Sequence, residues 1–182
     1  GAMVLSCIAA NQPGGLIGTA PKASFWLLRS EDGGSEYIIE EYNWVSAAEY
    51  ADSVGADVIN SSLGYTEFND PSQNHTYADM DGETAPATIG ADMAARKGIL
   101  VVNSLGNEGS SQWYYLSAPS DGDSVMGIGA VDGSGNYASF SSHGPSYDGR
   151  VKPAVAAQGS GVCLVDPYGG NLSFGGGPSF SS

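Results

Sequence analysis

One carboxamide and one hydroxyl stand out in this sequence, because each follows residues suited to holding it rigidly. Asn107 lies in Ser104-Leu105-Gly106-Asn107-Glu108-Gly109, directly after the apolar run 99–102. A short apolar run ending in a glycine-flanked polar residue is typical of a buried strand that carries a polar group to the crevice at the strand ends. Ser179 follows glycines 175–177, which permit a sharp turn. Taken singly, each residue also fits an ordinary turn. Acyl transfer needs a nucleophile and hydrogen-bond donors for the oxyanion, and a serine and a carboxamide are residue types that can supply them.

Four blocks, in this order, resemble those of the subtilisin-like serine peptidases. They are Ser104–Gly109, Phe140-Ser141-Ser142-His143-Gly144-Pro145, Asp148-Gly149-Arg150-Val151-Lys152-Pro153 and Gly177-Pro178-Ser179-Phe180-Ser181-Ser182. The resemblance extends from Val4 to Ser182. It implies that Ser179 is the nucleophile and that the Asn107 side chain and the Ser179 backbone N–H form the oxyanion hole. The implied reaction is hydrolysis of peptide bonds by a Ser-His-Asp acyl-enzyme mechanism.

The resemblance also implies two substrate-binding segments. Ser62, Leu63 and Gly64 follow a predicted strand and correspond to the edge on which a bound peptide pairs as an added strand. Ser104, Leu105 and Gly106 correspond to the facing wall of the pocket that takes the side chain before the cleaved bond. The implied partner is a peptide or protein substrate. Without the resemblance, both segments read as ordinary strand ends.

One position departs from the family pattern, because Pro178 stands where threonine is expected before the nucleophile. Proline fixes its own φ and restricts the residue before it, although the first turn of a helix tolerates it. If Pro178 tilted the turn, the Ser179 hydroxyl would no longer point toward the substrate. The alternative to an enzyme is therefore a catalytically dead subtilisin-like domain that binds peptides or serves as a scaffold. An α/β hydrolase of another type is not supported, since the chain has no Gly-x-Ser-x-Gly elbow.

The catalytic base and its orienting carboxylate are missing from the matched blocks. The two histidines, His75 and His143, do not fit the family's His-Gly-Thr block, and both are predicted to be surface turn residues. That block and the Asp block are expected upstream of Val4. Residues 1–3 resemble a scar left by tag removal, so residues 4–182 are interpreted as a partial peptidase domain that also lacks the downstream helices. Such a fragment is expected to be inactive, because a serine without a base is a poor nucleophile at neutral pH.

Periodicity and turn signals predict alternating strands and helices. Residues 4–10 read as the second half of a helix, and further helices are expected within 35–54 and over 84–97. Strands are expected at 24–29, 57–63, 99–102, 125–131 and 154–157. Residues 64–82 read as a long polar surface excursion. This order predicts an α/β fold, a doubly wound, mainly parallel sheet with helices on both faces. In the family, the strand carrying the catalytic Asp lies between the strands at 24–29 and 57–63. Its loss predicts either altered pairing across the gap or self-association through a borrowed strand.

Composition restricts the classes of partner. The formal charge is −14, from 20 acidic and six basic residues, which makes nucleic acids and anionic membranes poor partners because both would repel the chain. No apolar stretch reaches the length of a membrane span. The two cysteines, Cys7 and Cys163, are too few for a disulfide framework, and Cys7 is expected to be a buried inert thiol.

No cofactor and no metal ligand are assigned from the residues. The resemblance raises calcium as one candidate, because the segment 10–21 is similar to a family loop that often binds this ion through carbonyl oxygens. That segment has no carboxylate. The resemblance further implies a secreted or cell-envelope location.

Overall fold

A computed structural model describes all residues, 1–182, and it contains three α-helices and six strands. The helices are α1 (Ala2–Ala9), α2 (Ile39–Ser53) and α3 (Pro86–Arg96), and short 3-10 turns cover Pro71–Gln73, Tyr77–Asp79 and Pro178–Phe180. The strands are β1 (Val58–Ser61), β2 (Leu100–Ser104), β3 (Met126–Val131), β4 (Val155–Gln158), β5 (Ser160–Val165) and β6 (Leu172–Gly176).

The main sheet has four parallel strands in the order β1-β2-β3-β4. Ile59 of β1 is aligned with Val101 of β2, and Asn103 of β2 with Gly127 of β3. Because the strands run in parallel, their carboxyl ends lie along one edge of the sheet, where the loops that follow them meet. The predicted α/β class with a mainly parallel sheet is confirmed.

Helices α2 and α3 pack against each other over a core rich in alanine. Trp44 and Ala48 of α2 are buried with Ala87, Ala91 and Ala94 of α3. A Cβ added to Gly90 of α3 would lie 2.7 Å from Cγ2 of Val45 on α2, so the helices approach too closely for a larger residue there. The indole N–H of Trp44 donates a hydrogen bond to Ser61 Oγ (3.0 Å), which ties α2 to the end of β1.

The predicted strand at Ser24–Arg29 is wrong, because these residues pair with no strand. Their apolar side chains are exposed, including Trp26 at 61% and Leu27 at 72%. Trp26 contacts Tyr50 of α2 edge to face, with ring centroids 5.7 Å apart. Strand propensity takes effect only where a neighbouring strand supplies hydrogen bonds, and none lies beside this segment. Altered pairing that would close the gap to β1 is therefore not observed, and borrowing of a strand from a second copy remains a prediction.

The antiparallel hairpin formed by β5 and β6 was not predicted. Five glycines lie within or beside its strands, and the register shifts between Ser160 and Val162. Glycine is depleted in strands, so composition favoured turns over this region. The α1 helix packs against β5, where Ser6 Oγ accepts a hydrogen bond from Val165 N (3.0 Å). None of the helices combines the length and the apolar character required to cross a membrane.

Candidate active site

The candidate site lies where β1 and β2 end side by side. Asn103, buried in β2, donates its side-chain N–H to the carbonyl of Leu63 (3.1 Å), which fixes the chain just after β1. Ser62 Oγ donates to the carbonyl of Ser179 (3.2 Å). The segment after β1 and the turn carrying Ser179 are thus in direct contact, although 117 residues separate them in sequence.

Ser179 lies in the 3-10 turn Pro178–Phe180, and Pro178 occupies its first position. That position needs no backbone donor, so proline is compatible with the turn. The backbone N–H of Ser179 donates to no acceptor of the chain, and its hydroxyl makes no hydrogen bond. The residue is partly exposed. Both polar groups expected to act on a substrate are therefore available.

Asn107 lies on the same edge of the sheet as Ser179. Its side chain is exposed, and its Oδ1 lies 3.4 Å from the position that a Cβ on Gly177 would take, two residues before Ser179. The loop that carries Asn107 is fixed to the segment 140–145, since Glu108 N donates a hydrogen bond to Ser142 Oγ (2.9 Å). A Cβ on Gly109 would lie 2.1 Å from the carbonyl oxygen of Ser141, so this contact requires glycine. The block at 140–145 thus supports the block at 104–109.

A pocket opens between the two predicted substrate-binding segments. Its lining consists of Ser62, Leu63, Gly64, Thr66, Ser104, Gly106, Asn107, Glu108 and Ser117. The structure brings together all the residues predicted for these walls except Leu105, whose side chain is fully buried in the core among Val101 and Leu116. Successive side chains of an extended chain point in opposite directions, so Leu105 turns inward where Ser104 and Gly106 face the pocket.

Three lining residues were not predicted as pocket residues. Glu108 directly follows Asn107, and that adjacency was the only available signal. No sequence signal pointed to Thr66 or Ser117 as pocket residues. Ser117 reaches the pocket through the long connection between β2 and β3. The bridge between Tyr65 and Ala118 places this connection against the chain after β1.

The prediction that His75 is a surface turn residue is wrong. Its side chain is only 7% exposed, and its Nε2 is paired with Oε1 of Glu41, which is fully buried. Burial acts to lower the pKa of His75, but the hydrogen bond to Glu41 and that carboxylate's charge outweigh it, so the pKa lies above its usual value. The polar excursion is thereby anchored to α2.

His143 is half-buried and makes no side-chain hydrogen bond. Its ring stacks on Tyr114 (centroids 4.3 Å apart) and is tilted against Tyr137 (5.0 Å). Its backbone bridges to Tyr115, so it lies in a short extended segment instead of a free turn. Neither histidine hydrogen bonds to the candidate nucleophile.

Calcium binding by the segment 10–21 stays a prediction. The segment contains no carboxylate, and four of its carbonyls, those of Ala10, Gln12, Leu16 and Ala20, accept backbone hydrogen bonds. Cys7 and Cys163 are both free and half-buried, and burial, together with the nearby Cys163, raises the pKa of the Cys7 thiol. The expectation of a buried Cys7 is therefore wrong, because the residue stays partly exposed.

One group of three carboxylates has oxygens close together. Oxygens of Glu31, Glu36 and Glu40 lie within 4.8 Å of one another. Tyr65 donates its hydroxyl to Glu31 (2.6 Å), whereas Oε2 of Glu40 is buried and has no partner. Burial, with the Glu31 carboxyl, raises the pKa of Glu40 to about 7. The Glu40 carboxyl thus keeps its proton at pH values where an exposed glutamate has lost it, since burial and the nearby Glu31 disfavour its charged form.

Replacing Glu40 by glutamine is expected to stabilise the chain at pH 8 and to change little at pH 4.5. Between its usual value of 4.5 and about 7, the folded state keeps a proton that the unfolded state has lost, so stability falls as the pH rises through this range. The Glu40→Gln variant removes that loss, which we expect to be roughly 1–3 kcal/mol at pH 8. Urea unfolding at both pH values measures it, with exposed Glu67→Gln as control. An equal effect at the two pH values would contradict the raised pKa of Glu40.

Comparison with known proteins gives the family. A model of the Subtilase family, peptidase S8, matches residues 1–182. Subtilisin E from Bacillus subtilis (strain 168) is 35% identical over 161 residues, which cover 87% of this chain and 37% of that protein. Subtilisin DY from Bacillus licheniformis is 38% identical over 138 residues, or 74% of this chain and 43% of the relative. The chain thus spans well under half the length of these relatives.

Solved structures of low sequence identity share the fold. The self-cleaved protease domain of PatA superposes with a TM-score of 0.76 at 23% identity, over 98% of this chain and 60% of that one. The PatG macrocyclase in complex with peptide gives a TM-score of 0.77 at 18% identity, over 99% of this chain and 48% of the other. The match across all 182 residues, together with subtilisins above 30% identity, shows that the chain belongs to the Subtilase family.

Proposed function

We propose that this chain carries the nucleophile, the oxyanion hole and the substrate edge of a serine endopeptidase. The observation that carries the proposal is the meeting of Asn107 and the turn of Ser179 at one sheet edge, beside a pocket between the predicted substrate segments. Family membership and the peptide-processing neighbours PatA and PatG support it. The substrate class is a peptide or protein chain.

The reaction begins when Ser179 Oγ attacks the carbonyl carbon of the scissile bond and transfers its proton to a base. The negative charge that develops on the carbonyl oxygen is bound by two donors, the Ser179 backbone N–H and Asn107 Nδ2. Both are free of other acceptors in the chain, so no internal hydrogen bond is broken when the oxyanion forms. The C–N bond breaks, the leaving amine takes the proton, and water hydrolyses the acyl-enzyme.

The base and its orienting carboxylate are assigned to parts of the full-length protein outside these 182 residues. His75 is committed to Glu41 and His143 to the tyrosines, so neither supplies the base. The 182 residues alone are expected to be inactive. A location outside the cytoplasm, secreted or in the cell envelope, is proposed from the resemblance.

Covalent labelling of the full-length protein tests the proposal. A fluorophosphonate, which reacts with activated serines, is expected to add one label per molecule, and digestion with mass spectrometry should place it on Ser179 and on neither Ser181 nor Ser182. The heat-denatured protein should not react. A folded protein that binds peptides without labelling at Ser179 would instead be the catalytically dead binding domain, the alternative that Pro178 raises.

A further inference from the structure

The cluster of Glu31, Glu36 and Glu40 concentrates negative charge that no basic side chain of the chain balances. One oxygen of each carboxylate lies within 4.8 Å of the other two, and none of the three residues takes part in an ion pair. None of them lines the pocket beside Asn107. Carboxylates held this close repel one another, and the repulsion grows where water is excluded. The cluster therefore favours a positive partner that contacts all three.

Glu40 is the buried member of this cluster and has an oxygen without a partner. The residue lies in the first turn of α2 and is only 2% exposed. Its Oε1 accepts a hydrogen bond from Asp32 N (3.3 Å), whereas its Oε2 is buried and makes none. Such an oxygen is costly to bury, and a bound ion is one of the usual reasons for it. Protonation of Glu40 would remove one charge but would still leave Oε2 without a hydrogen-bond partner.

Glu31 and Glu36 are positioned by groups outside the cluster. The Tyr65 hydroxyl (2.6 Å) and Ser30 Oγ (3.0 Å) both donate to Oε1 of Glu31, and its Oε2 accepts no hydrogen bond. Asn69 holds the backbone of Glu36 twice, because its Oδ1 accepts from Glu36 N (3.2 Å) and its N–H donates to the Glu36 carbonyl (2.7 Å). Both carboxylates are half-buried, so the cluster can be reached from solvent.

The spacing of the three oxygens suits calcium. Ca²⁺ takes oxygen ligands at about 2.3–2.6 Å in flexible geometry, so oxygens up to 4.8 Å apart can contact one ion. Mg²⁺ requires about 2.0–2.1 Å, so two oxygens bound to one Mg²⁺ are at most about 4.2 Å apart. These calcium distances are shorter than the roughly 2.8 Å of a hydrogen bond to water, so a cation can enter between oxygens that leave no surface for water.

We propose that Glu31, Glu36 and Glu40 bind one calcium ion, with water at its remaining positions. The ion joins the loop before α2 to the first turn of that helix and, through Tyr65, to the chain after β1. The site is distinct from the segment 10–21 and does not depend on the proposed peptidase function. The pH dependence expected for Glu40→Gln refers to the calcium-free protein.

Calorimetric titration of the full-length protein with CaCl₂, after removal of divalent ions with EDTA, tests the proposal. Glu36→Gln keeps the shape of a half-buried side chain and removes one ligand charge. It should weaken one calcium site by at least about tenfold, because even residues that only orient metal ligands contribute about 10–100-fold to affinity. Glu67→Gln removes the same charge from an exposed residue outside the cluster and should bind calcium as the parental protein does. Comparing the two variants cancels the contribution of any other calcium site.

Hydrogen exchange of the unaltered protein gives a second readout that needs no variant. Saturating CaCl₂ should slow amide exchange in peptides that cover residues 30–40, because the ion ties this loop to α2. MgCl₂ at the same concentration should slow it less, since the spacing favours the larger ion. Unchanged exchange over 30–40 with calcium, or equal calcium binding by Glu36→Gln and Glu67→Gln, would overturn the proposal.

Discussion

Replacing Ser179 by alanine in the full-length protein is expected to reduce kcat for peptide hydrolysis by about 10⁶-fold, with little change in KM, an effect of the size known for the nucleophile of subtilisin. The reason is that the hydroxyl is the group that forms the covalent intermediate. The substrate edge at Ser62–Gly64 and the pocket do not depend on it, so binding should persist. Steady-state kinetics on one fluorogenic peptide, with burst-phase detection of the acyl-enzyme, measure both parameters.

Two further substitutions separate the nucleophile from its surroundings. Ser181→Ala changes a serine of the same turn, whose hydroxyl donates to the Pro178 carbonyl (2.7 Å), and it should leave hydrolysis and labelling at Ser179 intact. Asn107→Ala should lower kcat by about 10²–10³-fold, again a magnitude known for a subtilisin asparagine, while the protein still forms an acyl-enzyme. If Ser179→Ala kept parental kcat, Ser179 would not be the nucleophile and the proposed mechanism would be wrong.

The sequence predicted the parts of the site that follow strands directly. Ser62, Gly64, Ser104, Gly106 and Asn107 come within a few residues of a β-branched apolar run, so a local pattern gives both the strand and the edge where it ends. In a parallel sheet that edge is shared, which is enough to predict that these residues meet. The positions of the main-sheet strands and of the α2 and α3 helices along the chain were predictable for the same reason, since their periodicity and glycine stops are local.

Residues whose positions depend on distant contacts were not predictable. Ser117 reaches the pocket through a connection without regular structure, and the local sequence at 113–119 does not show where that connection docks. The strand prediction for Ser24–Arg29 was wrong for the opposite reason, because the local propensity for a strand is strong but no neighbouring strand pairs with the segment. His75 lies in a polar stretch, and the carboxylate with which it pairs is 34 residues away in sequence.

The pair formed by His75 and Glu41 links three parts of the fold. Oε1 of Glu41 is paired with the His75 ring, and its Oε2 accepts a hydrogen bond from Ala87 N at the start of α3 (2.9 Å). The His75 ring packs edge to face on Phe68, with centroids 5.6 Å apart, and its backbone N–H donates to the carbonyl of Thr66 (2.9 Å). The excursion that bears Thr66, a pocket residue, is thus held to both α2 and α3 through one carboxylate.

Replacing His75 by alanine is expected to destabilise the chain by about 3–5 kcal/mol, because it leaves Glu41 buried without its partner. The raised pKa of His75 means that the pair contributes fully below the usual value of 6.5 and that its contribution is lost as the pH rises through the folded-state pKa. Urea unfolding should therefore show a larger loss at pH 6 than at pH 9. His75→Gln, which can still donate an N–H to Glu41, should recover part of the loss, and the double variant His75→Ala with Glu41→Gln should be more stable than His75→Ala alone. Additive losses in the double variant would mean that the two side chains are not energetically coupled. The excursion would then owe its position to its other contacts, such as the hydrogen bonds that join Asn69 to Glu36 and Gln73 to Ile38.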